Sequence, residues 1–260
     1  ERNRGKLAAV RAGVNNLIKN EQVRYVAVVD QDGDHFANEL MNFVRAAQHV
    51  ERAARTERVL VLGRRISRHR PMGLVRGEME DLADRVLLDA LRYYEAKSGK
   101  PLDLRFALTI EDVPDFHSGY KMFTRATAAE VFAAEPRSEG LPEACASRHA
   151  VESVLTVESL LNGATLAVIN RTAVDEQPLS AFGLLDRPRL VADKIIWPCR
   201  RLGIPPEFVS QWMDNHLPVI LLGTLLPEGR DELLAVRRLV REAFDLPDDG
   251  CAAIVRPPFI

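Results

Sequence analysis

The chain has 260 residues, 47% of them hydrophobic, enough to bury the core of a globular fold and too much for a disordered or fibrous one. A formal charge of −2 gives no support for a nucleic-acid footprint. Cys145, Cys199 and Cys251 are odd in number and lack C-x-x-C spacing, so they read as reduced thiols rather than a disulfide framework. No run of about 18 apolar residues offers a bilayer span. The expected location is therefore the cytoplasm, with at most a peripheral contact at the inner face of a membrane.

In chain order, Lys6–Lys19 reads as a helix and Val23–Asp30 as a strand. Residues 37–55 read as a helix with Leu40, Phe43, Val44 and Ala47 on one face. Residues 58–62 read as a strand. Residues 78–97 read as a long helix with Leu82, Val86, Leu87 and Leu91 at core spacing. Strands are expected at 104–110 and 119–123, helices at 126–134 and 150–161, and a strand at 164–169. This alternation argues for an α/β fold with a mostly parallel sheet and helices on both faces. After Gly183 helical patterns dominate, punctuated by Pro188, Pro198, Pro205, Pro206, Pro218 and Pro227. Residues 1–183 are thus expected to form the main domain and 184–260 a helical extension. Within the latter, 217–226 is apolar but too short to span a bilayer.

The chemistry concentrates where the strand at 23–29 must end. Asp30, Asp32 and Asp34 follow it at alternate positions. Ligands in open α/β sheets bind outside the carboxyl ends of strands, and hard cations take carboxylate oxygens and bridge to phosphates. Three carboxylates this close repel one another unless a cation is near. A calcium loop fits poorly, because it needs Gly at its sixth position and Glu at its twelfth, where this chain has His35 and Met41, and the cluster follows a strand, not a helix. A haloacid-dehalogenase-like phosphohydrolase with Asp30 as nucleophile is the alternative enzyme. A sugar-nucleotide-binding protein without turnover is the alternative binding module.

The segments around this cluster resemble family-two glycosyltransferases of the GT-A fold. Arg4-Gly5-Lys6 through Gly13 resembles N-x-G-K-x-x-A-x-x-x-G, and Asp30-Gln31-Asp32-Gly33-Asp34-His35 resembles the D-A-D-L-Q-H motif of the polyprenyl-phosphate (dolichol-phosphate mannosyltransferase-like) branch. Val59 to Arg65 resembles a strand ending in G-S-R. Asp115 to Arg125, containing Ser118-Gly119-Tyr120-Lys121, resembles D-x-x-S-G-F-R-x-x-x-R. Glu158, Gly163 and 166–169 resemble the helix, Gly and strand that close that family's sheet.

The resemblance implies an inverting transfer of a sugar from a nucleotide-diphosphate donor, with Mg²⁺ or Mn²⁺ on Asp30, Asp32 and Asp34. It implies Asp115 as the residue that would take a proton from a hydroxyl acceptor. Lys6, His35, Arg65, Ser118, Gly119 and Lys121 are implied as donor- or acceptor-binding residues. The acceptor implied by this branch is a lipid phosphate. The family opens with two βα units that this sequence does not show, so about 60–90 further residues are expected ahead of Glu1, at ~30 or more per unit. Secondary candidates are the basic run Arg64, Arg65, Arg68, His69 and Arg70 as a phosphate contact, His149 with Arg148 and Glu152 as a third metal ligand, and Glu111 and Asp112 as an alternative base; the family's closing R-x-x-G-x-S-K is not matched, since Asp175 stands at its Arg position and Arg171 is out of register.

Overall fold

The computed structural model describes residues 3–30, 35–66, 73–108, 112–138, 140–172, 186–223 and 227–249. Within them the chain is α/β, with helices α1 (Lys6–Leu17), α2 (Leu40–Ala54), α3 (Leu74–Ser98), α4 (Arg125–Val131), α5 (Val151–Leu161), α6 (Arg187–Arg201), α7 (Pro206–Gly223) and α8 (Pro227–Ala243). Four strands, β1 (Tyr25–Val28), β2 (Val59–Arg65), β3 (Lys121–Thr124) and β4 (Thr165–Arg171), form one sheet in the order β1-β3-β2-β4.

The sheet is mixed, which corrects the expectation of mostly parallel strands. β3 lies between β1 and β2 and runs antiparallel to both, and only β2 and β4 pair in parallel. The alternation of strands and helices suggested parallel crossovers throughout. The turn at residues 115–120 instead starts β3 at the end of the sheet where β1 and β2 finish, so β3 runs back between them. β1, β2 and β4 keep a common direction, and their carboxyl ends share one edge with the start of β3. The expected strand at 104–110 is corrected over its described part, 104–108; residues 109 and 110 lie outside the described residues. Residues 102–108 fold as a turn, with the Ala107 and Leu108 amides both donating to the Leu104 carbonyl, and a single bridge joins Phe106 to Ala167.

Period-two burial decides which layer each strand residue joins. Val59, Val61, Tyr120, Met122 and Ala167 face α2, whose Phe43, Ala47 and Val50 cover them. Val26, Val28, Leu60, Leu62, Phe123, Leu166 and Val168 face the other way, into the larger core built with the remaining helices. Helices therefore cover both faces, α2 one of them and the rest the other. Val191, Ile195, Ile196 and Trp197 of α6 are wholly buried in that same larger core. α6 begins on an Asp186 cap, whose carboxylate accepts the Arg189 amide at 3.1 Å, with Pro188 in its first turn, where a missing N–H costs nothing. Pro198 and Pro218 do not break the helices as the sequence suggested, because α6 and α7 continue through them.

Candidate functional site

Four residues nominated from separate stretches of sequence meet just past the carboxyl end of β1. Asp30 follows that strand by two residues. Lys6, the first residue of α1, reaches it at 2.5 Å from Nζ to Oδ1. Gly5 ahead of it adopts φ +92°, and a side chain there would meet the Ser147 carbonyl at 2.6 Å, so only glycine lets α1 start this close to the Cys145–His149 π turn. Gly119 closes on Asp30 from the β3 side. A Cβ on Gly119 would lie 2.3 Å from Asp30 Oδ2 and 3.3 Å from His35 Nε2. His35 in turn stands edge-on to Tyr120, with ring centroids 5.3 Å apart, and Tyr120 stacks on Phe43 of α2.

Asp32 and Asp34 lie outside the described residues, as do Glu111, Arg68, His69 and Arg70. Among the described residues no three metal-ligating side chains are grouped. The donor chemistry nevertheless fits a hard cation: a carboxylate at a strand's end, against which the chain packs so closely at Gly119 that a side chain there would collide with it.

Four other nominated residues lie beneath this surface instead of on it. Asp115 is 0% exposed. Its Oδ2 accepts the Arg65 amide at 3.0 Å and Nε at 2.8 Å, and its Oδ1 accepts Nη2 at 2.5 Å. A carboxylate so occupied is a structural partner of Arg65 and is not free to take a proton from an acceptor. Arg65 itself bridges on to Glu80 of α3 at 2.7 Å. Ser118 donates to the Gly63 carbonyl at 2.5 Å, and Arg171 Nε donates to the same oxygen at 3.0 Å. Lys121 is 1% exposed and spends its protons on the carbonyls of Phe116 and Ser118, at 2.9 and 2.5 Å. The cause in each case is the β3 register. Period two turns Lys121 to the same face as Phe123, into the large core, so its ammonium bonds inward.

Sequence reasoning missed the partners of these buried charges. Glu80 and Asp84 fall at i and i+4 on the stripe that continues through Leu87 and Leu91, and both are buried. Acids on an apolar stripe were the available signal. Lys194 in α6 sits beside Ile195, Ile196 and Trp197, and it reaches Glu80 at 3.2 Å. Glu152, in the first turn of α5, takes Lys6 at 2.5 Å. Burial alone would raise the Glu152 carboxyl, but Lys6, Lys121 and Lys194 hold it down at about 2. Glu80 is held well below the usual carboxylate range by Lys194 and Arg65 against the same burial. Asp30 and Glu152 likewise raise Lys6 above an ordinary lysine, despite its partial burial. His149 is not directed at Asp30 but is bonded through Nδ1 to Asp193 of α6 at 2.6 Å.

Burial lowers the Lys121 ammonium from 10.5 to about 8, with Glu152 and Asp115 opposing the shift. The folded state therefore releases this proton before the unfolded state does, and stability rises with pH between about 8 and 10.5. The expected gain over that window is about 3 kcal/mol, at roughly 1.4 kcal/mol per unit. Urea unfolding of wild type and Lys121→Met at pH 7.5 and pH 10 (values chosen about the window) should show the difference between them growing in favour of wild type. A constant difference would place the ammonium in a solvated setting.

No family model matches the chain, and no curated protein matches it.

Proposed function

We propose that this chain is a metal-dependent, inverting glycosyltransferase of the GT-A type. On this reading it moves a sugar from a nucleotide-diphosphate donor to an acceptor bearing a phosphate. The observation that carries the reading is the meeting of Lys6, Asp30, His35 and Gly119 at the carboxyl end of β1, where α/β folds bind ligands. Asp30 and Asp32, with Asp34, would hold Mg²⁺ or Mn²⁺, and a cation there neutralises a departing diphosphate. Lys6 fixes one Asp30 oxygen and its charge offsets the carboxylates, while Gly119 lets the backbone before β3 pack closely against the other. An acceptor that is already an anion needs no general base, which agrees with the engagement of Asp115 by Arg65.

Thermal shift with nucleoside diphosphates and Mn²⁺ tests the reading. A ligand at about 100 times its Kd stabilises a folded protein by roughly 2.7 kcal/mol. Wild type should be stabilised only when metal and nucleotide are both present, and Asp32→Ala should lose that response while staying folded. An unchanged response in the variant would remove the metal assignment. Release of phosphate from phosphoesters without nucleotide binding would favour a phosphohydrolase acting through Asp30. Nucleotide binding with no sugar transfer would favour a binding protein.

Several of the exposed large apolar side chains among the described residues lie close in sequence to this site. Val29, Phe36, Leu40 and Met41 flank Asp30 and His35, while Ile66 and Leu74 follow β2. Scattered exposure is ordinary, but exposed apolar residues on both sequence flanks of Asp30 and His35 are suited to a partner surface. It supports an acceptor phosphate carried on a lipid. No described helix is long and apolar enough to cross a membrane, so contact with such an acceptor would be peripheral. Anionic vesicles should sediment wild type, and the double variant Met41→Ser, Ile66→Ser should bind about tenfold more weakly or worse, from the loss of two apolar side chains worth ~1.5 kcal/mol or more each. No sedimentation of wild type would assign a water-soluble acceptor.

A further inference from the structure

The turn that carries Gly119 is held by a hydrogen-bond chain crossing three helices inside the core. His117 faces Asp84 Oδ1 of α3 through Nδ1 at 2.7 Å, and its amide donates to the same oxygen at 3.3 Å. Its Nε2 lies 2.8 Å from Ser153 Oγ of α5, and the Ser153 hydroxyl reaches the Lys194 carbonyl of α6 at 3.3 Å. Ser, His and Asp at these distances are the makings of a nucleophilic triad. Exposure decides against that chemistry: Ser153 and Asp84 are 0% exposed and His117 4%, so no substrate carbonyl can reach the serine. The chain instead anchors a turn whose other residues are tied as well, Asp115 to Arg65 and Ser118 to the Gly63 carbonyl. Two residues beyond His117, Gly119 stands against Asp30 and His35.

We propose that His117 is a positioning residue for the Asp30 site. By bridging Asp84 and Ser153 it sets where Gly119 stands, and Gly119, packed against Asp30 Oδ2, sets where that carboxylate lies. The inference rests on the reading of Asp30 as part of a metal–nucleotide site. Supporting residues one layer behind a metal ligand typically change affinity by about 10–100-fold.

The test is calorimetry of the full chain with nucleoside diphosphate and Mn²⁺. It compares wild type, Ser153→Ala and His117→Asn, the last keeping a donor toward Asp84 but not the reach to Ser153. Both variants should bind roughly tenfold more weakly while unfolding cooperatively in urea. The imidazole proton shared with Asp84 is shielded from solvent, so it should give a slowly exchanging downfield resonance. That resonance should shift on titration with Mg²⁺ and nucleotide, which a purely structural histidine would not do. Wild-type affinity in the variants with an unmoved resonance would overturn the proposal. Should His117→Asn not fold, Ser153→Ala and the wild-type resonance decide the matter. Failure of wild type to bind any nucleotide would remove the reading of Asp30 and this inference with it, whereas normal wild-type binding with unaffected variants would remove this inference alone.

Discussion

Replacing Asp115 by Asn should destabilise the fold by about 3–5 kcal/mol, the cost of leaving a buried charge without its partner. The expected consequence is a fall in Tm on the order of 10 °C for a chain of this length. Arg65 is the charge left behind. Its side chain is 6% exposed, and Asp115 supplies three of its hydrogen bonds, one to the amide and two to the guanidinium. Glu80 remains on the other side of the guanidinium, but Glu80 must also neutralise Lys194 and Arg76. A general base would behave differently, since its amide variant keeps the fold and loses only turnover. Urea unfolding separates the two roles. A loss below about 1 kcal/mol would show that the pair contributes no more than a surface ion pair.

Gly119→Ala should have the opposite profile. The added Cβ would stand 2.3 Å from Asp30 Oδ2, so the carboxylate has to swing aside, and it is the end of a side chain rather than backbone. The stability cost should therefore stay within about 1–3 kcal/mol, the range for an overpacked contact. Metal-dependent nucleotide affinity should fall by up to about a hundredfold, because the displaced oxygen is one the cation would need. Calorimetry at fixed Mn²⁺ measures this directly. Unchanged affinity in a folded Gly119→Ala would mean that Asp30 Oδ2 takes no part in binding.

These two positions show how one sequence segment splits into two roles. Asp115 and Gly119 belong to the same turn and were nominated together from the same motif. The turn places Asp115 under β2, where the Arg65 amide and guanidinium await it, and brings Gly119 out beside Asp30. Residue type alone does not distinguish these outcomes, since an Asp before a Ser-Gly pair suits a cleft and a core equally. Lys121 repeats the point. A lysine near a strand start reads as solvent-facing until the antiparallel register with Val28 and Leu62 directs it inward.

The sequence by itself determined the α/β class, the existence of most of the helices and strands, and the two-sided burial of the sheet, and these follow from local information: apolar periodicity and the placement of proline and glycine. That Lys6 and His35 belong with Asp30 was implied by the family resemblance of their motifs, not by periodicity or spacing. Tertiary structure alone decided the reversed direction of β3, the reduction of 104–108 to a single bridge, and the joining of α6 to the same core as the sheet. It also decided which charges are buried, Arg65 with Asp115 and Glu80, Lys194 with Glu80, and Lys6 with Glu152. Strand direction depends on how the chain returns across the sheet, and a buried ion pair depends on two residues far apart in sequence finding each other. Neither leaves a period in the sequence to read.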